Sequence, residues 1–164
     1  MTDETDTTRR RALQIAAGVA AVSAVSTTAS AAPPDVVGVW KLVAAKTTDP
    51  SGKVVAVPYG PRGMGIVSLT SDGRMMAVLV DGRSTLPDGA IREYSSYCGN
   101  YTFDGSTLIT TVDANSDPAR FTVPQVRKVR FQGDLMILVP PPGEANGVKL
   151  DRELTWEKIS PVSL

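Results

Sequence analysis

The stretch Ile66-Val67-Ser68-Leu69-Thr70-Ser71-Asp72-Gly73-Arg74-Met75-Met76-Ala77-Val78-Leu79-Val80 consists of two apolar runs separated by a short polar segment. An Asp-Gly pair between two apolar runs is the strongest short-range signal of a β-hairpin, because both residue types tolerate the backbone angles of a tight turn. The stretch therefore predicts two antiparallel strands, 66–69 and 75–80, joined at Asp72-Gly73.

The same alternation of apolar and polar residues extends in both directions from this hairpin. It predicts further strands at 38–44, 94–103, 107–112, 125–131, 135–139 and 154–159, with turns at 104–105 and 132–134. No segment after Val36 has the period of an amphipathic helix three turns long. We therefore expect an all-β fold, a small antiparallel barrel of about eight to ten strands, since closure leaves no exposed sheet edge. Longer loops are expected at 47–65, 81–92, 113–124 and 140–151.

Residues 1–31 have the order of a bacterial secretory signal: a charged start, an apolar run, and small residues before a cleavage site. Thr8-Arg9-Arg10 and Leu13 resemble the core of a twin-arginine export signal, whereas Ala12 and Gln14 depart from its commonest residues. The resemblance implies that the protein crosses the bacterial cytoplasmic membrane already folded. We expect cleavage after Ala31 and a mature domain at 32–164. The alternatives are a chance match and an uncleaved membrane anchor, for which the apolar run is short against about 30 Å of hydrocarbon.

Charge and two residue counts exclude several classes of function. Lys and Arg together number 17, as do Asp and Glu, so the chain lacks the basic excess that attracts nucleic acid. It has no histidine, which rules out catalysis by the usual Ser-His or Cys-His pairs and removes the commonest zinc ligand. Cys98 is the single cysteine, so no internal disulfide is expected, and we interpret it as a small buried side chain. We predict no cofactor and no metal site.

Six segments, in order along the chain, together resemble the bacterial lipocalin-like domain family. They are Gly38–Val43, Pro58–Pro61, Thr70–Ala77, Tyr97–Gly105, Gln125–Asp134 and Leu154–Glu157. The resemblance implies a small antiparallel barrel with an interior cavity, in a family whose ligands are mostly unassigned. Many members carry histidine where this chain has Thr110 and Thr111, so any histidine chemistry of such relatives does not carry over.

The segment Gly38-Val39-Trp40 is also similar to the first strand of true lipocalins, in which a tryptophan plugs one end of the barrel beneath an arginine. By that resemblance, Trp40 would plug this barrel, with Arg130 or Arg152 over its ring in a cation–π contact. The alternative is that Trp40 and Trp156 are ordinary core aromatics.

An eight-stranded barrel is just wide enough to be filled by side chains or to hold one small ligand. Strand alternation selects candidate ligand-binding residues, which are Met75, Tyr97, Tyr101, Thr110 and Arg127. They would form an apolar pocket with a few polar groups, in which Gly99 leaves a gap. The alternative is that these side chains fill the barrel solidly.

Arg127 lies in a basic cluster with Lys128 and Arg130, which we interpret as the solvated side of a strand. However, Arg127 shares its face of the strand with Val129 and Phe131. If that face is inward, Arg127 is a buried cation that needs a carboxylate or an anionic ligand; otherwise it reaches a mouth of the barrel and is solvated.

Three functions from different classes follow from this pattern. We favour an exported protein that binds a small apolar or amphipathic ligand in the barrel cavity. The alternatives are a small barrel enzyme (an isomerase, cyclase or hydrolase) that works without histidine, and a structural or partner-binding envelope protein with a filled barrel. Most acidic residues lie in predicted turns, which disfavours the enzyme, and no catalytic residue is assigned. The sequence predicts no oligomeric state.

Overall fold

A computed structural model describes residues 35–160 of the 164-residue chain. The predictions made for Arg9, Arg10 and Ala31 lie outside the described residues. The ten strands are β1 (Gly38–Thr48), β2 (Val54–Ala56), β3 (Gly63–Leu69), β4 (Arg74–Asp81), β5 (Tyr94–Phe103), β6 (Thr107–Asn115), β7 (Gln125–Gln132), β8 (Leu135–Val139), β9 (Gly143–Ala145) and β10 (Val148–Ser160). In this part of the chain, helix is limited to one 3₁₀ turn, Pro118–Arg120. The all-β prediction is confirmed.

Eight of the strands form a closed antiparallel barrel. Pairing runs in the order β1, β3, β4, β5, β6, β7, β8, β10, and β1 also pairs with β10, so that the first and last strands complete the circle. The short strands β2 and β9 extend β1 and β10 respectively outside this circle. The predicted antiparallel barrel of eight to ten strands is therefore confirmed.

The two ends of the barrel differ in how the strands are connected. At one end, which we call the turn end, the connections are the tight turns 70–73, 104–106 and 133–134. At the opposite end, the loop end, the connections are the longer segments 49–62, 82–93, 116–124 and 140–147 with their short strands. Each of the four longer loops predicted from the sequence overlaps with one of these connections, but the predicted ranges were too long, because 47–48, 63–65, 81, 113–115 and 148–151 belong to strands. The four connections lie at the same end because neighbouring strands of the barrel are antiparallel.

The turn end is closed by aromatic side chains. Trp40 is 2% exposed, and its indole Nε1–H donates to the carbonyl of Val36 at 2.8 Å. Its ring lies 6.3 Å from that of Phe131. The cation over the ring is the ammonium of Lys158, at 5.1 Å from the ring centroid.

The expectation that Arg130 or Arg152 covers Trp40 is therefore wrong. Lys158 faces Trp40 directly in the pairing of β1 with β10, so the strand register brings these two side chains together. Arg130 instead points outward and pairs with Glu153. Arg152 lies towards the loop end, far along β10 from the plug.

Strand alternation places the apolar residues as the sequence predicts. Met75, Ala77 and Leu79 are at most 4% exposed, whereas Met76, between two of them, is 56% exposed. Together with buried side chains from the other strands of the barrel, they fill most of its interior.

Gly99 does not leave the gap predicted for it. A β carbon at this position would overlap with the carbonyl oxygen of Thr111, because the pairing of β5 with β6 is irregular between Cys98 and Gly99. Gly99 thus permits a close approach of two backbones, which is a common reason for glycine inside a strand. The neighbouring Cys98 is half-buried rather than fully buried.

No helix among residues 35–160 has the length and apolarity to cross a membrane. Within the same range, no three acidic or cysteine side chains are grouped closely enough to hold a metal ion.

Candidate ligand-binding site

A small enclosed cavity of about 70 Å³ lies inside the barrel near the loop end. Its inner wall is formed by the apolar side chains of Val67, Ala77, Leu79, Leu138 and Leu154, together with Trp156, whose indole carries one N–H. Polar side chains surround the rest of it, namely Tyr59, Ser95, Tyr97, Arg120, Arg127 and Arg152. Three larger depressions of 420 to 550 Å³ lie on the outer face of the barrel and are open to solvent. The enclosed cavity is the better candidate for a ligand, because ligand sites bury most of the ligand surface.

Arg127 is the charged group deepest in this site. Its side chain enters from β7, and the residue is 9% exposed. The guanidinium lies 5.8 Å from the ring centroid of Tyr97, and it donates to the carbonyl of Val126 at 2.7 Å. No carboxylate among residues 35–160 lies within 4.0 Å of it, since the salt bridges of that range involve other residues. Arg127 is therefore a buried cation without a protein counter-ion in the described part of the chain.

Gln125 holds two guanidinium groups in place. It is 3% exposed, and its side-chain oxygen accepts hydrogen bonds from both Arg127 (3.3 Å) and Arg120. Its amide nitrogen donates to the carbonyl of Val123 at 2.8 Å, which fixes the orientation of the side chain. Because an amide is neutral, it positions the two cations but does not cancel their charge.

Tyr59 reaches the cavity from a strained turn. Pro58 and Tyr59 are the central residues of a turn closed by the amide of Gly60, which donates to Val57 at 3.1 Å. Tyr59 has φ = 63°, a conformation that glycine or asparagine normally occupies at this turn position. Its backbone N–H donates to the carboxylate of Glu93. Backbone strain of this kind persists only where the surrounding structure holds it in place, and here the turn hydrogen bond and Glu93 hold Tyr59 at the cavity wall.

The electrostatics around Tyr59 reflect both burial and the nearby arginines. Burial raises the pKa of its phenol above the ordinary value, because the charged phenolate loses hydration. The positive charges of Arg152 and Arg127 act in the opposite direction. Tyr59 is thus a neutral hydroxyl at physiological pH.

Two carboxylates at the loop end bind groups other than the arginines of the cavity. Asp81 is 1% exposed and binds Arg83, whose side chain holds the pKa of that carboxyl below its usual value. Glu93 accepts from the backbone of Tyr59. Arg92 stabilises the start of the loop after β4 by donating to the carbonyls of Asp81 and Arg83.

Trp156 contributes a hydrogen-bond donor that nothing in the described structure accepts. The residue is 1% exposed and lines the cavity. Its indole Nε1 has no hydrogen-bond partner among residues 35–160. Buried polar groups in native proteins are nearly always satisfied, so each exception calls for an explanation.

The structure separates the five residues that the sequence selected. Tyr97 and Arg127 lie against the enclosed cavity. Met75 and Tyr101 lie towards the turn end, where the hydroxyl of Tyr101 donates to the carbonyl of Thr70 at 2.8 Å. Thr110 is 1% exposed and does not line the cavity. Their roles in ligand binding stay predictions, and the structure brings only the first two together.

Two expectations for the basic cluster are corrected by these positions. Lys128 and Arg130 are exposed, as the solvated side of a strand requires, but Arg127 is buried on the opposite face. Arg127 is thus an inward cation and is not solvated at the mouth.

Sequence reasoning missed the residues that loops and strand ends bring to the site. Tyr59 comes from a turn and Arg120 from the 3₁₀ turn, where the alternation of strands gives no signal of side-chain direction. Arg152 lies in a part of β10 that precedes the predicted strand 154–159. The Pro58-Tyr59-Gly60-Pro61 segment, with two prolines and a glycine, carries a local signal of a tight turn that could have located Tyr59.

A small closed antiparallel barrel, plugged at one end and bearing long loops at the other, defines a lipocalin-like β-barrel. A family model described as a lipocalin-like domain matches residues 37–87, which contain β1 to β4 and part of the following loop. No curated protein matches the chain. Among solved structures, the chain is similar to an uncharacterized protein from Bacteroides eggerthii DSM 20697, with 15% identity over 76% of this chain and 100% of that chain, at a TM-score of 0.39.

Proposed function

We propose that this chain is an exported lipocalin-like protein that binds a small amphipathic molecule inside the barrel, at the loop end. The observation that supports this most is the enclosed cavity, which has an apolar inner wall and polar side chains around its mouth. Ligand sites commonly combine mostly apolar walls with a few converging polar groups. The mouth of a β-barrel is also a frequent place for them.

The size of the cavity limits the ligand. A cavity needs a volume of roughly 10–15 Å³ to hold one water molecule. A cavity of about 70 Å³ therefore admits on the order of five water-sized groups. The ligand, or the part of it that enters the barrel, is compact, and a long acyl chain does not fit within the cavity.

Binding can be tested by following the thermal unfolding of the purified protein with small amphipathic compounds. A ligand at about 100 times its Kd stabilises the fold by about 2.7 kcal/mol, which raises the Tm. Ala77→Leu should abolish this shift, because Ala77 is 1% exposed on the cavity wall and the larger side chain occupies the space.

Ala56→Leu is the matched control, because it adds the same atoms at an exposed position of β2. It should leave the shift in Tm unchanged. An absence of binding by every small compound, or equal binding by both variants, would contradict a ligand site in the cavity.

Export rests on Arg9, Arg10 and the Ala29-Ser30-Ala31 segment. Replacing both arginines by lysine should retain the full-length precursor in the cytoplasm. N-terminal sequencing of the exported wild-type protein should begin near Ala32. Normal export of the Lys-Lys variant would exclude the twin-arginine route.

A further inference from the structure

We infer that the polar end of the ligand is a carboxylate, which Arg127 binds inside the barrel with Arg120 and Arg152 at the mouth. This inference rests on the proposed function, because it specifies the chemistry of the ligand that the same cavity takes. The ligand class is short-chain carboxylates.

The first argument is the charge balance of the cavity. Three guanidinium groups line it, and no carboxylate among residues 35–160 lies within 4.0 Å of any of them. A buried charge is costly unless it is paired and hydrogen-bonded. Gln125 gives Arg127 a neutral acceptor only. An anionic ligand would supply the missing counter-charge.

The contrast with Arg130 on the same strand makes this argument sharper. Arg130 lies three residues further along β7, on the outer face, and binds Glu153. Arg74 and Arg83 also have carboxylate partners, Asp113 and Asp81. At these exposed or half-exposed positions pairing contributes little. The buried Arg127, for which an absent partner costs most, has no carboxylate within 4.0 Å among residues 35–160.

The second argument is the excess of hydrogen-bond donors. Trp156 brings a buried indole N–H without a partner in the described chain, and an indole is a donor only. Guanidinium groups are likewise donors only. An ionised carboxylate is an acceptor only, with about four lone-pair sites, and its planar shape matches the fork of a guanidinium. The donors of the site and the acceptors of a carboxylate are therefore complementary.

The apolar inner wall distinguishes a carboxylate from an inorganic oxyanion. Val67, Leu79 and Leu154 offer no donors to oxygen atoms that point away from the arginines. A phosphate or sulfate would leave such oxygens against hydrocarbon without hydrogen bonds, which is unfavourable. A short-chain carboxylate instead presents its own hydrocarbon to this wall, and the small volume keeps that chain short.

Calorimetry with a set of small compounds tests the ligand class in a buffer low in competing anions. Propionate has about the size that the cavity admits. Propionamide has nearly the same shape without the charge, and should bind about 10- to 100-fold more weakly, because hydrogen bonds to a charged group are the stronger ones. Decanoate, which exceeds the cavity, and inorganic phosphate should both bind more weakly than propionate.

Two variants of arginines on β7 test whether Arg127 binds the carboxylate. Arg127→Met should lower propionate affinity by at least about 10-fold. The same change should raise the Tm of the ligand-free protein, since it removes an uncompensated buried charge. Arg130→Met, the matched control, should leave propionate affinity unchanged. If Arg127→Met does not fold, Arg120→Met, at an exposed position of the mouth, should still weaken propionate binding.

The outcomes separate this inference from the proposed function. Equal binding of propionate and propionamide, tighter binding of phosphate, or unchanged affinity in Arg127→Met would overturn the carboxylate assignment while the cavity stays a ligand site. Failure of every compound, neutral ones included, to bind or to raise the Tm would overturn both.

Discussion

The observed pairing of β5 with β6 requires that residue 99 has no β carbon. At Gly99 the nearest atoms to an added β carbon are backbone atoms of Thr111 and Val112, which cannot move aside as a flexible side chain can. The strand therefore needs glycine for the fold of the barrel, and this position makes no contribution to the volume of the cavity.

Gly99→Ala should lower the free energy of unfolding by about 1–3 kcal/mol, because the extra carbon forces the two backbones apart. Urea denaturation measures the change. Gly143→Ala is the control, since nothing lies within 4 Å of its added carbon and its φ is not in the left-handed region. A loss of stability that is equal in the two variants would show that the close approach is not the cause.

Glu153 joins two cations on the outer face of the barrel. It binds Lys46 at 2.9 Å and Arg130 on its other oxygen. The hydrogen bond from Lys46, followed by that from Arg130, holds the pKa of Glu153 below its ordinary value of 4.5. Because the folded-state pKa is the lower one, ionised Glu153 stabilises the fold above pH 4.5, and this contribution is lost as the pH falls below 4.5 towards the folded-state pKa.

Glu153→Gln should therefore lower stability at neutral pH by up to about 1 kcal/mol, the range of partly exposed ion pairs. The difference from the wild type should shrink as the pH falls below 4.5 and the wild-type carboxyl takes up its proton. Urea denaturation of both proteins at several pH values measures this. A difference that stays constant with pH would exclude ionisation as its origin.

Among the elements, the barrel strands were predictable and the short additional strands were not. Alternation identifies a strand when one face is buried, as in β4, where Met75, Ala77 and Leu79 alternate with more exposed residues. All three residues of β2 are exposed, as are all three of β9, so neither strand carries that signal. The predicted last strand, 154–159, was likewise too short, because the first part of β10 pairs outside the barrel with β9.

Amide hydrogen exchange should distinguish the barrel strands from the short strands β2 and β9. Strands β2 and β9 each pair with one neighbour and have no buried residue, so their amides should exchange faster than those of β4, which pairs on both sides. Exchange followed by mass spectrometry measures this. Protection of β2 equal to that of β4 would indicate that something covers it in solution.

For the whole molecule, the sequence predicted the closed barrel and the position of its loops, but not the position of the cavity. The cavity is the volume left after side chains from several strands and two loops have packed, and alternation describes one strand at a time. Tyr97 and Arg127 could be selected because they lie on strands, and their inward face follows from period two. Tyr59, Arg120 and Arg152 depend on loop and strand-end geometry, which the pattern does not contain.

The two ends of the barrel should contribute unequally to stability. Trp40→Ala should lower the free energy of unfolding by about 3–5 kcal/mol, because it empties a plug that is 2% exposed and removes the contacts with Phe131 and Lys158. Arg120→Ala, at an exposed position of the loop end, should change it by less than about 0.5 kcal/mol. Comparable losses in the two variants would contradict this division between the ends.

The barrel closes only when β1 pairs with β10. The ribosome releases β1 before β10, and nine residue pairs, with register shifts at two places, join the two strands between Val39–Ser160 and Thr48–Asp151. Until β10 has been made, the strands of the barrel made before it lack the partner that joins β1 to β8. The final ladder must also close the longest loop in the fold, which is an entropic and kinetic burden on folding. The barrel therefore cannot close until β10 has left the ribosome, and until then the edge of β1 that β10 covers is open to pairing with another strand.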